Sequence, residues 1–184
     1  MEEIDVIKVL VCDDSALMRN LISHIIDDTN GMKTVGTAMN GQFLLEKIPL
    51  LKPDVILLDI EMPVMTGVEF LKKRKELNID IPVIILSSIA TKGASVTMEC
   101  LELGASDFIT KPSGSISTDI AKVASQIVEL VASYGGSHAI KQNRKTYPTE
   151  YFIQQAKLKE AANAAKKEGI LDKGSNYLEE LSNS

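Results

Sequence analysis

The chain has 184 residues, with 20 Lys and Arg against 25 Asp and Glu, a formal net charge of −5, two cysteines and two histidines. At 45% hydrophobic and 24% charged it has the composition of a globular protein, which excludes wholesale disorder; its aliphatic runs, Val55 to Leu58 and Val83 to Leu86, are too short to span a membrane. Cys12 and Cys100 stand far apart with no C-x-x-C, against a disulfide framework or a cysteine zinc site, and two histidines cannot furnish a histidine-rich metal centre. The acidic start, Met1-Glu2-Glu3, lacks an apolar signal core, so a cytoplasmic protein is expected.

Residues 1–134 carry 12 basic and 19 acidic side chains, and residues 135–184 carry 8 and 6. Between them lies Gly135-Gly136-Ser137, read as a flexible linker. Neither segment is basic enough to suggest nucleic acid. The one dense basic run, Lys72-Lys73-Arg74-Lys75, reads as a solvated helix face.

The elements follow in order. Lys8 to Cys12 is a buried strand, and a helix from about Ser15 to Asp28 repeats apolar residues at Leu17, Leu21 and Ile25. Thr34 to Ala38 is a second strand and Gln42 to Leu51 a second helix. Asp54 to Leu58 is a third strand ended by Asp59, with a helix from about Gly67 to Leu77. Pro82 to Leu86 is the fourth strand; its helix, about Ala94 to Leu103, stops at Gly104. Asp107 to Thr110 is the fifth strand and Thr118 to Tyr134 its helix. Five β-α units imply a parallel sheet with right-handed crossovers. Aliphatic runs buried on both faces put helices on both sides. The expected fold is therefore an open, doubly wound α/β domain with a five-stranded parallel sheet, its strand order left open.

Acids stand where these strands end. Asp13 and Asp14 follow the first strand and Asp59 the third. Ligands of open α/β sheets bind outside the carboxyl ends of the strands, where the strand order reverses. Carboxylates gathered there raise one another's pKa unless a cation offsets them, and an oxygen-only ligand set favours Mg²⁺. The bland alternative is that Asp13 or Asp14 merely caps the first helix. Ser87 and Ser88 end the fourth strand, and Lys111 follows the fifth. Acids, an ammonium and a small hydroxyl at one rim are the parts phosphoryl transfer uses, with Asp59 as the nucleophile. No Gly-rich phosphate loop is present, so a nucleotide is not the expected donor.

Asp13-Asp14-Ser15, the stretch Asp59 to Gly67, Leu86-Ser87-Ser88 and Gly104 to Pro112 resemble the four motifs of the receiver domain of bacterial two-component response regulators. Ser87 to Gly93 and Lys111 to Ser117 look specifically like the receiver of the chemotaxis methylesterase regulators. The resemblance implies a flavodoxin-like (βα)5 receiver whose Asp59 takes a phosphoryl group from a sensor histidine kinase of chemotaxis type. It implies Mg²⁺ on Asp13, Asp14, Asp59 and the Glu61 backbone carbonyl, Lys111 on the phosphoryl group, and Ser87 and Phe108 as switch residues. Output is then expected on the face of the fourth helix, fifth strand and fifth helix. Glu61 and Ile89 occupy positions that tend to influence phosphoryl lifetime, and Thr66 stands where the common motif has an aspartate. A haloacid-dehalogenase-like phosphatase would place D-x-D after the first strand, which this chain lacks.

Residues 135–184 are expected to form a linker and helical tail, with a helix over Glu150 to Lys167. Tyr151, Leu158, Ala162 and Ala165 sit at helical spacing, and Gly169 is placed to close the helix. No G-x-S-x-G elbow appears, so the chain is expected to be a switch and not an enzyme. The alternative is the receiver portion of a truncated or degenerate protein-glutamate methylesterase regulator. No membrane insertion is expected.

Overall fold

The five expected strands form one parallel sheet in this computed structural model, which describes residues 3–88, 93–111 and 116–182, with side chains at 3–88, 94–111 and 122–166. The strands are β1 (Ile7–Cys12), β2 (Met32–Ala38), β3 (Val55–Asp59), β4 (Val83–Ser87) and β5 (Asp107–Thr110). They lie in the order β2-β1-β3-β4-β5. Alternate residues of each strand face opposite sides, so the sheet feeds two cores. Val9, Val11, Val55, Leu57, Ile84 and Leu86 pack beneath α1 (Ala16–Asp27) and α5 (Ile116–Leu130). Leu10, Cys12, Ile56, Leu58, Val83 and Ile85 pack beneath α2 (Gly41–Leu51), α3 (Gly67–Glu76) and α4 (Gly93–Glu102). Both cysteines are buried and free, and burial pushes the Cys12 thiol up to about 12, which makes it a packing residue.

Polar side chains start the first three helices. Ser15, Asn40 and Thr66 each accept a backbone N–H, from Met18, Phe43 and Glu69, satisfying groups that a helix leaves unpaired. In the basic run, Lys73 pairs with Glu76 on the surface. Arg74 differs: it is half-buried and donates twice to the Ile81 carbonyl.

At Gly135 the structure departs from the expected linker. α5 runs without a break through a π-helical turn (Val131–Gly135) into α6 (Gly136–Lys141). Gly135 and Gly136 are buried. A β-carbon on Gly135 would lie 2.6 Å from Ile7 Cγ2 and 3.1 Å from Val55 Cγ1. The glycine is there because the helix crosses the floor of β1 and β3 at close range, and not because the chain must bend.

Below that crossing, Arg144 donates to Asp54 (2.6 Å), to Asp5 (2.6 Å) and to the Val6 carbonyl (2.7 Å). Asp54 is fully buried and also meets the Lys8 N–H and His138 Nδ1. This cluster ties residues 138–144 to the amino ends of β1 and β3. From there α7 (Thr149–Ser182) turns back over α1 and α5. Phe152 is fully buried in the core beneath α1 and α5. Tyr147 and Tyr151 stack at 4.1 Å, and Lys159 reaches Asp28 at 2.9 Å. Of the expected stripe only Tyr151 packs on the core, beside Phe152 and Ala156, while Leu158, Ala162 and Ala165 are exposed. Nor does Gly169 close the helix, which continues to Ser182.

Candidate functional site at the carboxyl ends of the strands

The strand order supplies what periodicity could not. β1 lies directly beside β3, with Cys12 opposite Leu58, so the residues after Cys12 and Leu58 emerge side by side. Carboxylate oxygens of Asp13, Asp14 and Asp59 all lie within 4.8 Å of one another. The alternative of helix capping fails for both acids, because Ser15 is the cap of α1. Asp13 is fully buried; its Oδ1 accepts the Ser15 N–H at 2.9 Å and its Oδ2 the Lys111 ammonium at 2.7 Å. Asp14 is exposed at the mouth.

Asp59 is 6% exposed. Its Oδ1 accepts the Ile60 N–H at 2.9 Å and pairs with Lys111 at 3.1 Å. Burial pushes its carboxyl up to about 6, with Asp13 adding to the rise and Lys111 opposing it. Burial alone would lower the Lys111 ammonium, but its hydrogen bond to Asp13 and the charge of Asp59 outweigh that and raise it. The Lys111 ammonium is thus shared by Asp13 and Asp59, with the Asp14 carboxylate also within 4.8 Å of theirs, and the site is short of positive charge.

The other expected residues fall around the same crevice, which Glu61, Ser87 and Ser88 line together with Asp14, Asp59 and Lys111. Ser87 is buried and Glu61 exposed. Phe108 is 45% exposed on the edge strand β5. Ile89 lies outside the described residues, as do Pro112 and part of each motif that carried the subfamily resemblance.

Three features escaped the sequence reading. Thr66 caps α3, a task that aspartate and threonine both perform, which explains the departure from the common motif. Gly67 is needed for space: a β-carbon there would sit 2.6 Å from the Asp59 carbonyl oxygen. Thr97 is buried on α4 and donates to Ser87 Oγ at 3.3 Å. Its signal was a hydroxyl one turn before Cys100, on the face that α4 turns to the core.

Residues 9–121 match the family model described as response regulator receiver domain. Two curated relatives are named protein-glutamate methylesterase/protein-glutamine glutaminase. That of Treponema denticola is 54% identical over 152 residues, covering 82% of this chain and 41% of the relative. That of Treponema pallidum is 56% identical over 135 residues, covering 73% of this chain and 34% of the relative. Among solved structures, the response regulator domain of Thermotoga maritima CheB superposes with a TM-score of 0.64 at 46% identity, covering 71% of this chain and 97% of that one. The expectation that the chain is no enzyme is corrected by these names, since relatives above 50% identity are enzymes. The missing G-x-S-x-G elbow does not bear on this, because the chain spans less than half the length of those relatives. Among the described residues, no helix is long and apolar enough to cross a membrane.

Proposed function

This chain belongs to the response regulator receiver domain family of two-component signalling, and from that premise we propose that it is a phosphorylation-controlled switch whose Asp59 accepts a phosphoryl group from a sensor histidine kinase. The observation that carries the reading is the convergence of Asp13, Asp14, Asp59 and Lys111 at one crevice. The Ile60 hydrogen bond and the Lys111 pair both fall on Asp59 Oδ1, which orients the carboxylate and makes Oδ2 the attacking atom. A bond forms from Oδ2 to phosphorus and the phosphorus–nitrogen bond of a phosphohistidine breaks. Its electron pair returns to the imidazole, leaving an aspartyl phosphate.

The donor set, three clustered carboxylates in a crevice that Glu61 also lines, fits Mg²⁺, for which the Glu61 backbone carbonyl would be a further ligand and which when bound supplies the positive charge the site lacks. Lys111 takes part by exchanging a carboxylate for a phosphoryl oxygen. The new group adds roughly −1.5 to −2 of charge. Ser87 turns toward it, Phe108 packs inward, and the face of α4, β5 and α5 becomes the output surface. Only such differential contacts can move the equilibrium.

The names of the relatives favour a finer reading: the receiver portion of a chemotaxis methylesterase regulator, acting in the cytoplasm with a chemotaxis-type kinase as donor. The test is acetyl phosphate with Mg²⁺, which should add the mass of one phosphoryl group to the native chain and none to Asp59→Asn. No labelling by acetyl phosphate or by any histidine kinase would overturn the proposal. Transfer from a chemotaxis kinase no faster than from an unrelated sensor kinase would overturn the finer reading alone.

A further inference from the structure

One buried polar side chain beside the site has no part in this scheme. Thr97 is 5% exposed on the core-facing side of α4, where an aliphatic residue is the ordinary occupant. Its hydroxyl donates to Ser87 Oγ at 3.3 Å, and the contact is buried. The hydroxyl that ends β4 is therefore tied to helix α4. Its residue also lines the crevice with Asp59, Lys111 and Val96, the neighbour of Thr97 on α4. A buried hydroxyl gives up a hydrogen-bond partner only for another, because an unmet one carries its full desolvation cost.

We propose that Thr97 is a positioning residue that holds Ser87 toward α4 in the unphosphorylated state and joins the movement of Ser87 to that of the helix. This rests on the reading of Asp59 as phosphoacceptor. To give its own proton to a charged phosphoryl oxygen, a strong acceptor, Ser87 must turn from α4, and that turn breaks the bond its Oγ accepts from Thr97. When the two part, α4 loses a tie to β4. The unphosphorylated state is thereby favoured by one neutral hydrogen bond.

The test uses beryllofluoride with Mg²⁺, a mimic of the phosphoryl group, titrated calorimetrically into the full chain, alongside the initial rate of acetyl phosphate labelling. Thr97→Val removes the hydroxyl and keeps the shape. It should bind beryllofluoride roughly 3- to 10-fold more tightly than the native chain, the worth of one neutral hydrogen bond. Thr97→Ser should restore native affinity. In a Ser87→Ala background Thr97→Val should change nothing, which isolates the hydroxyl pair from anything else the Thr97 side chain does. Thr97→Ala carries the same expectations if the valine variant does not fold. Native-like or weaker binding by Thr97→Val overturns the proposal, as does an equal gain in the Ser87→Ala background. A native chain that neither labels nor binds beryllofluoride overturns the phosphoacceptor reading and this one with it.

Discussion

Lys111 is held by Asp13 at 2.7 Å and by Asp59 at 3.1 Å, so one ammonium is shared by acids from the ends of two neighbouring strands. It is nearer the acid that is not the proposed nucleophile. Asp59 keeps only part of a counter-charge while being almost fully buried, and its carboxyl rises to about 6 in consequence.

That rise has a sign for stability. Between the ordinary carboxylate value, about 4, and about 6, the native state holds a proton the unfolded state has lost. Stability then falls as pH rises through this window and stays reduced above it. In chelator, Asp59→Asn should melt about 3–9 °C above the native chain at pH 7.5, with the gap closing toward pH 4. Scanning calorimetry across the range decides it; a gap that grows in acid would contradict the assignment.

Adding Mg²⁺ should raise the native melting temperature, because a ligand that binds only the folded state at about tenfold its Kd contributes roughly 1.4 kcal/mol. Asp13→Asn should lose most of this response, since Asp13 lies in the three-carboxylate cluster. An undiminished response in that variant would place the ion elsewhere.

The adjacent glycines where the π-helical turn meets α6 should behave oppositely. A β-carbon on Gly135 meets Ile7 at 2.6 Å, whereas one on Gly136 finds its nearest neighbour at 3.8 Å. Gly135→Ala should cost about 1–3 kcal/mol by overpacking. Gly136→Ala should be neutral or stabilise by up to about 1 kcal/mol through helix propensity. Urea titration of the two variants checks this, and equal effects would mean that residues 135–136 act as a linker after all.

Arg144→Ala strands Asp54, a fully buried acid otherwise met by the Lys8 N–H and His138. The loss should be about 3 kcal/mol or more. Lys73→Ala breaks an exposed pair and should cost under about 0.5 kcal/mol. Denaturant midpoints for both variants give the comparison, and similar losses would show the cluster to be a surface contact.

Phe152 pins α7 onto the core. Phe152→Ala should cost about 3–5 kcal/mol and speed amide exchange over residues 149–160, while Leu158→Ala, at an exposed position, should do neither. Unchanged exchange in Phe152→Ala would show that α7 is held by its polar contacts, Lys159 with Asp28 and Glu160 with Ser125.

The legibility of the sequence varied with the range of the interaction. The strand runs, the helix spans and the acids after the first and third strands are local patterns of period two and 3.6, and the structure holds them within a few residues of where they were expected. The face of α1 differs, since Ile22 and Ile26 are buried while the expected Leu17 is 75% exposed. Capping was local too, although Thr66 was read as a departure when it simply performs the cap. What failed depended on partners remote in the chain. Gly135 looked like punctuation because Ile7 and Val55 lie over 75 residues away in sequence. The tail stripe went wrong for a related reason: which face of an Ala- and Lys-rich helix is buried depends on the surface it meets.

By itself, then, the sequence determined a parallel α/β sheet with acids, a hydroxyl and a lysine at the carboxyl ends of its strands, because side-chain periodicity and strand termination are properties of adjacent residues. Only the tertiary structure decided that β1 lies beside β3, so that Asp13, Asp14 and Asp59 share one crevice with Lys111. It alone put Thr97 against Ser87 and the segment from Gly135 to Glu160 against the receiver instead of away from it. Strand order and docking are settled by which buried surfaces fit together, and no pattern confined to neighbouring residues encodes that fit.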